Sequence, residues 1–191
     1  MGRPRSFDDE TVIERAMEAF WTHGYGATTP AMLAEATGTG KGSLYHAFTS
    51  KRALFDRCLD AYHARITELS EALLERPGST RACIEGALRA VVDDDLAQPT
   101  RRGCLIGNTA VELAGADPEL AARLRGMQDA TTSRFAARIE RGRAEGDVPR
   151  DRDAGALAEH FANTLAGLRV TAMTHEAPSL HRIIDTAMLV L

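Results

Sequence analysis

The chain has 191 residues, of which 44% are hydrophobic and 26% are charged, and its formal net charge is −4. This composition is typical of a globular protein with one large core, or with a small domain joined to a larger one. No apolar run approaches the roughly 20 residues that cross a bilayer, and the first residues contain no apolar stretch typical of a signal peptide. We therefore expect a cytoplasmic protein with no membrane segment.

The cysteines and the charge distribution further restrict the class of protein. Cys58, Cys83 and Cys104 are an odd number of cysteines at wide spacing, which favours free thiols over a disulfide framework. The net charge argues against binding nucleic acid by bulk attraction. The basic residues among the first 52 nevertheless cluster near the N-terminus, at Lys41 and at Lys51. This placement suits contacts with phosphate groups.

The first predicted helix begins after Asp8, which can cap it, and ends at Gly24. Its apolar side chains recur at helical spacing. A second, short helix follows, because Thr29 can cap it, Pro30 suits its first turn and Gly38 can end it.

A third helix is predicted over Lys41 to Ala47, and Ser50 can cap a longer helix that runs from Lys51 to about Arg76. Two short helices joined by a glycine-containing turn are typical of a helix-turn-helix, which presents its second helix to the major groove of DNA. Leu44 and Phe48 have the spacing of an inward pair, so we expect Tyr45 to be exposed rather than in the core.

The rest of the chain also has helical periodicity and no alternating strand pattern. The predicted helices are Thr80 to about Leu96, Cys104 to Ala114, a long helix capped by Asp117 and ending near Gly146, about Asp153 to Thr174, and Pro178 to Leu191. We therefore predict an all-α fold of about nine helices, with a DNA-binding domain over residues 1–52 and a second helical domain over residues 53–191.

Several segments suggest other chemistry and do not meet its requirements. The run GTGKGS at residues 38–43 lacks the first glycine of a phosphate-binding loop and has Gly42 directly after the lysine. Asp93, Asp94 and Asp95 point in different helical directions, so a solvated helix end is favoured over a metal site. No histidine pair has metalloprotease spacing, and Ser43 lacks the motif of a nucleophile. We expect no enzyme activity, no cofactor and no metal.

The segments GYGATT at residues 24–29, KGSLYHAF at residues 41–48 and SKRALF at residues 50–55 resemble the DNA-binding domain of the TetR/AcrR family of bacterial transcriptional regulators. The resemblance covers roughly residues 7–55. It implies a helical second domain that binds a small-molecule effector and forms a homodimer. The chain departs from the family pattern at Pro30, Met32, Leu33 and Gly40, which leaves the operator sequence open.

The resemblance also implies which residues contact double-stranded DNA. Lys41, Gly42 and Ser43 would approach base edges, and Tyr45 and His46 would reach bases or phosphates. Thr28, Thr29 and Lys51 would contact the DNA backbone. Arg3 and Arg5 are typical of an arm for the adjacent minor groove, although a solvated tail explains them equally well.

In the second domain, apolar helical stripes with a few polar groups suggest a ligand pocket. The candidate lining residues are Cys104, Asn108, Glu112, Met127, Thr131, Phe135, His160, Phe161, Thr164 and Leu168. Ordinary core packing is the alternative for each of them. Arg101 and Arg102 beside Cys104 also suggest a reactive thiol, but a packing role for this cysteine is favoured.

The last two predicted helices carry more apolar residues than one small core needs, which predicts a four-helix dimer interface. Its candidate residues are Leu165, Leu168, Ala172, Met173, Ile183, Ile184, Ala187 and Met188. Three functions stay open: a repressor released by an effector, a DNA-binding dimer without a small ligand, and a helical enzyme whose first residues only resemble a DNA reader. Activation in place of repression is also open.

Overall fold

The computed structural model describes residues 9–191, and these fold into nine α-helices with no strand. The predicted cap at Asp8 and the predicted arm with Arg3 and Arg5 lie outside the described residues. The helices are α1 (Asp9–Ala27), α2 (Pro30–Thr37), α3 (Lys41–Phe48), α4 (Lys51–Leu74), α5 (Thr80–Ala97), α6 (Leu105–Leu113), α7 (Pro118–Glu145), α8 (Ala154–Thr171) and α9 (Ala177–Ala187), followed by a 3₁₀ turn over Met188–Val190. The all-α prediction is confirmed.

The helix boundaries follow from the predicted caps. The Thr29 hydroxyl accepts the Met32 N–H at 3.2 Å, and Gly38 ends α2 in the left-handed region at φ 65°. The Asp117 carboxylate accepts the Leu120 N–H at 2.9 Å at the start of α7. Gly24 does not end α1 but interrupts it, because its backbone is non-helical (φ 78°, ψ 166°). Single residues at these positions thus decide where the helices begin, end and kink.

The chain divides into two compact units, one ending at Arg65 and the other comprising Ile66–Leu191. The first unit includes the first part of α4, so it extends beyond the predicted boundary at residue 52. Within the described part of the chain, no helix is both long and apolar enough to cross a membrane.

The core of the first unit combines aliphatic side chains with several aromatic rings. The rings of Phe20 and Phe55 lie edge to face with centroids 4.9 Å apart, and Tyr62 is fully buried. Cys58 is also buried, its thiol donates to the Ile13 carbonyl at 3.5 Å, and burial raises the pKa of this thiol to about 12. Cys58 is therefore an inert core residue.

The second unit has a large apolar core contributed by α4, α5, α7, α8 and α9. The turn between α4 and α5 is fastened to the end of α7. The Asp147 carboxylate accepts the Thr80 N–H at 2.5 Å and the Thr80 hydroxyl at 2.9 Å. The buried Arg138 donates to the Gly78 carbonyl at 2.6 Å. These polar bonds satisfy groups that the core would otherwise leave unpaired.

Gly142 in α7 lies directly against this junction, which gives a stability prediction. A Cβ at residue 142 would overlap the Thr80 hydroxyl and the Asp147 carboxylate and would lie 2.9 Å from Val148 Cγ2. Gly142→Ala should therefore lower the free energy of unfolding by about 1–3 kcal/mol, the usual cost of overpacking. Urea denaturation followed by circular dichroism measures it. Gly126→Ala, in open space on the same helix, is the control and should be neutral or stabilising; equal destabilisation of both variants would contradict the prediction.

Candidate nucleic-acid interface

The helix α3, which the sequence predicts to enter the major groove, has one buried face and an exposed N-terminal end. Leu44 and Phe48 are buried, as predicted from their spacing, and they fix the rotation of the helix. Lys41, Gly42 and Ser43 are exposed, and so is His46. The residues predicted to reach base edges therefore share an accessible surface. A helix of this kind fits the major groove, where base pairs are distinguishable.

The start of α3 also favours anions. Its N-cap is Gly40, and no side chain from the described residues caps the helix there. The first N–H groups of a helix lack intrahelical partners and carry a partial positive charge. The exposed Lys41 ammonium adds a full charge at the same end. Negative groups of a nucleic acid are therefore attracted to this end of the helix.

The turn before α3 is held by short polar contacts. The Thr37 hydroxyl donates to the Leu33 carbonyl at 2.7 Å, and the Gly38 N–H donates to the Glu35 carbonyl at 3.2 Å. Thr39 is buried. These bonds define where α2 ends before the turn to α3.

The two threonines predicted to contact the DNA backbone have different environments. Thr29 is exposed, although its hydroxyl already caps α2. Thr28 is fully buried, and its hydroxyl donates to the Gly24 carbonyl at 2.6 Å. A buried side chain cannot contact phosphate, so the prediction for the Thr28 side chain is wrong in this conformation. Its hydroxyl instead satisfies a carbonyl next to the kink in α1.

Tyr45 is less exposed than the sequence predicted. Its ring is half-buried, and its hydroxyl is inaccessible to solvent and has no hydrogen-bond partner among the described residues. Burial, and secondarily the neighbouring Tyr25, raise the pKa of Tyr45. The expected full exposure is therefore corrected: Tyr45 packs towards the unit and presents only part of its ring.

Lys51, at the first position of α4, is half-buried. Its ammonium nitrogen lies 4.4 Å from the centroid of the Tyr25 ring. Tyr25 was not among the predicted site residues. Lys51 and Tyr25 are 26 positions apart, and no local periodicity links them.

Comparisons with known proteins agree with this geometry. Residues 12–58 match the bacterial regulatory proteins of the tetR family, and residues 81–188 match the tetracyclin repressor-like C-terminal domain. The chain belongs to the TetR family. It is a DNA-binding transcriptional regulator and not an enzyme, as the sequence predicted.

Full-length relatives support this assignment. The chain is 32% identical to the HTH-type transcriptional repressor ComR of Escherichia coli over 190 residues, covering 97% of this chain and 88% of ComR. It is 30% identical to the uncharacterized regulator YezE of Bacillus subtilis, covering both chains fully. A cysteine mutant of the TetR family regulator CifR, solved with 26-bp operator DNA, has a TM-score of 0.87 at 32% identity and 98% coverage of both chains.

The residues predicted to line a ligand pocket differ in their burial. Phe135, Phe161 and Leu168 are buried in the apolar core, and the rings of Phe135 and Phe161 lie 6.1 Å apart. These three side chains belong to the apolar core of the second unit, which is the alternative that the sequence left open for them. Glu112 and His160 are exposed. The remaining candidates in α7 and α8 are Met127, which is buried, and Thr131 and Thr164, which are half-buried.

Cys104 and Asn108 have roles in the local fold. The Cys104 sulfur accepts the Gly107 N–H at 3.5 Å at the start of α6, and the Asn108 amide donates to the Arg102 carbonyl at 2.8 Å. Arg101, predicted as a possible activator of the thiol, pairs with Glu176 at 3.1 Å. These contacts give Cys104 a structural capping role.

A small pocket is present elsewhere in the second unit. It has a volume of about 90 Å³ and is lined by Leu73, Arg76, Pro77, Ala82, Cys83 and Gly86. Pockets for drug-sized ligands are about 300–1,000 Å³. This pocket contains none of the predicted ligand residues and is too small for such a molecule.

Asp95 is an important residue whose environment the sequence did not predict. Asp93 and Asp94 are exposed, as expected of a solvated helix end, but Asp95 is only 6% exposed. Its carboxylate binds Arg169 through two bonds, of 2.8 and 3.1 Å. Burial raises the pKa of Asp95, and Arg169 opposes that shift. Because Arg169 also donates to the Gly103 carbonyl at 3.0 Å, the pair joins α5, α8 and the loop before α6.

Most of the predicted dimer residues are also part of the chain's own core. Leu168, Ala172, Ile184, Ala187 and Met188 are buried within the chain. Their assignment to an interface is wrong in this conformation, because their apolar surface is already covered. Leu165 packs partly against the same core, whereas Met173 and Ile183 are exposed. The exposed apolar surface of these helices also includes Val170 and Leu189, which were not among the predicted interface residues.

The open space beside Gly42 allows a test of the proposed groove contact. A Cβ at residue 42 would meet no atom of the described residues within 4 Å, so Gly42→Ala should leave the protein folded and raise helix stability by up to about 1 kcal/mol. If the α3 backbone approaches the bases closely, the added methyl group should weaken DNA binding at least about fivefold. Fluorescence anisotropy with operator DNA and thermal unfolding measure the two effects. Unchanged affinity would show that this backbone stays away from the groove, and Gly126→Ala is the matched control.

Proposed function

We propose that this protein is a homodimeric transcriptional repressor that a small-molecule effector releases from its operator. The observation that carries the proposal is the exposed first turn of α3 on a folded helix-turn-helix. ComR, a relative over nearly the full chain, is named a transcriptional repressor, and CifR was solved on operator DNA. We include repression and operator binding in the proposal on the strength of these two relatives.

The proposed DNA contacts combine base reading and backbone anchoring. Lys41, Gly42, Ser43 and His46 face the bases, and the exposed part of the Tyr45 ring adds an apolar contact. Thr29 and Lys51 contact the phosphate backbone and fix the register. Arg3 and Arg5 remain proposed for the minor groove. The Thr28 side chain is left out because it is buried.

Operator binding should be measured on DNA upstream of the protein's own gene. We expect a preference for one upstream fragment over random DNA that persists as salt is raised, since base contacts do not depend on counterion release. Lys41→Ala should weaken binding by about five- to a hundredfold, the range for one good base contact. A panel of small hydrophobic and electrophilic compounds tests effector release in the same assay. The lack of any salt-resistant preference would contradict the repressor proposal, and a preference that no compound changes would favour a dimer without a small ligand.

Effector release requires a conformational change in the second unit. The predicted pocket residues Phe135 and Phe161 are packed against each other. A ligand acting there would have to bind a conformer in which these rings separate, and it would shift the population towards that conformer. Moving the protein from mostly bound to mostly free needs a difference in affinity of about 5 kcal/mol between the two conformers.

The proposed dimer surface is the exposed side of α8 and α9. One stripe of α8 combines the small residues Ala166 and Gly167 with Val170, which is 64% exposed. Met173, Ile183 and Leu189 are further exposed apolar side chains in or after these helices. Two recognition helices on one face of DNA require a twofold dimer, since one short helix reads few base pairs.

Val170→Glu tests the dimer surface. Burying a carboxylate in an apolar interface without a partner is costly, so the variant should dissociate into monomers and lose most of its operator affinity. Sedimentation velocity and DNA binding measure the two effects. Val111→Glu is the matched control, because Val111 is 92% exposed on α6. A Val170→Glu protein that stays dimeric would place the interface elsewhere.

A further inference from the structure

Tyr25 lies where three elements of the first unit meet. Gly24 leaves the helical conformation immediately before it. The Tyr25 ring then packs on Phe20 of α1, with centroids 6.1 Å apart, and on Phe55 of α4, with centroids 4.8 Å apart. The aromatic neighbours therefore hold the Tyr25 ring in place, and the ring can serve as a fixed surface for another side chain.

The Lys51 ammonium lies over this fixed ring, 4.4 Å from its centroid. Lys51 and Phe55 are four residues apart and share one side of α4, so the same ring contacts both. The negative face of an aromatic ring attracts a cation at this distance. Among residues 9–191, Lys51 has no carboxylate partner that would hold it instead.

The position of Lys51 makes this contact significant. It is the first residue of α4, and a cation is unfavourable at the positive end of a helix. A lysine without a partner there would point into solvent and sample many rotamers. The ring face compensates part of the unfavourable charge and restricts the ammonium to one region. Its remaining N–H groups are left to donate to another acceptor.

We infer that Tyr25 is a positioning residue for DNA binding, whose ring holds the Lys51 ammonium ready for a phosphate of the DNA backbone. This inference rests on the proposed phosphate contact of Lys51. The ring restrains the lysine before DNA is bound, so that binding has less side-chain freedom to remove. Immobilising one flexible side chain costs about 0.5–1.5 kcal/mol, which is about two- to tenfold in affinity.

A double-mutant cycle in the full-length protein tests this role. Tyr25→Leu should weaken operator binding about two- to tenfold for each bound protomer, by the same ordering cost. Tyr25→Phe keeps the ring face and should bind close to the natural protein. Lys51→Met should reduce the slope of log affinity against log salt concentration by about 0.9 for each phosphate that the lysine no longer neutralises. In the Lys51→Met background, Tyr25→Leu should have no further effect, because there is no ammonium left to position.

Trp21→Leu is the matched control. It removes a ring that lies 5.6 Å from another cation, the Arg65 guanidinium, in the same unit. It should show no coupling with Lys51→Met. Thermal unfolding of each variant checks the fold, and Tyr25→Met replaces Tyr25→Leu if the leucine variant does not fold.

The outcomes distinguish the positioning role of Tyr25 from the proposed contact between Lys51 and a phosphate. If Tyr25→Leu weakens binding equally with lysine or methionine at position 51, or does not weaken it at all, the positioning role is overturned and the phosphate contact stands. If Lys51→Met changes neither the affinity nor the salt slope, the phosphate contact itself fails.

Discussion

The exposed surface of α3 depends on the packing of two helices, α2 and α3, that are too short to be stable in isolation. Both α2 and α3 have eight residues, and isolated helices shorter than about 12–15 residues are marginal in water. Leu33 on α2 and Leu44 on α3 are fully buried and attach these helices to the core of the unit. The exposed position of Lys41 to Ser43 is therefore a consequence of buried leucines. Changes to the core would move this exposed first turn of α3 without altering any residue on it.

Local signals were enough to predict most of the fold. The caps at Thr29, Gly38 and Asp117 were readable because capping is a property of one residue and the next few N–H groups. The inward pair on α3 was readable because helical spacing alone separates Leu44 and Phe48 from the outer face. For the same reason the exposure of the first turn of α3 could be predicted. The recognition segment is short, and nearly all of its constraints lie within it.

The environments that the sequence did not predict are set by residues that lie far away along the chain. Asp95 looked like the third member of a solvated acidic run, but Arg169, 74 residues away, binds it in the interior. The spacing of Ile184 and Met188 showed that one face of α9 is apolar, but not that the same chain covers it. Phe135 and Phe161 lie in the apolar core, and their pocket role stays a prediction, because a pocket wall and a packed core use the same side chains. Tyr45 turned inwards although its sequence neighbours already supplied an inward pair. Periodicity identifies a face, and only the tertiary structure identifies what covers that face.

The negative net charge of the chain makes the position of each lysine important for DNA binding. With a net charge of −4, the protein as a whole does not attract DNA, so affinity has to come from a few well-placed groups. The sequence has two lysines, Lys41 and Lys51, and both lie in the first unit. Lys41 is exposed at the start of α3 and can adapt to a base edge, whereas Lys51 lies over a ring. We propose that the two lysines have different roles in DNA recognition because their environments differ. A restrained cation sets the register on the phosphates, and a free one is left to discriminate among the bases within that register.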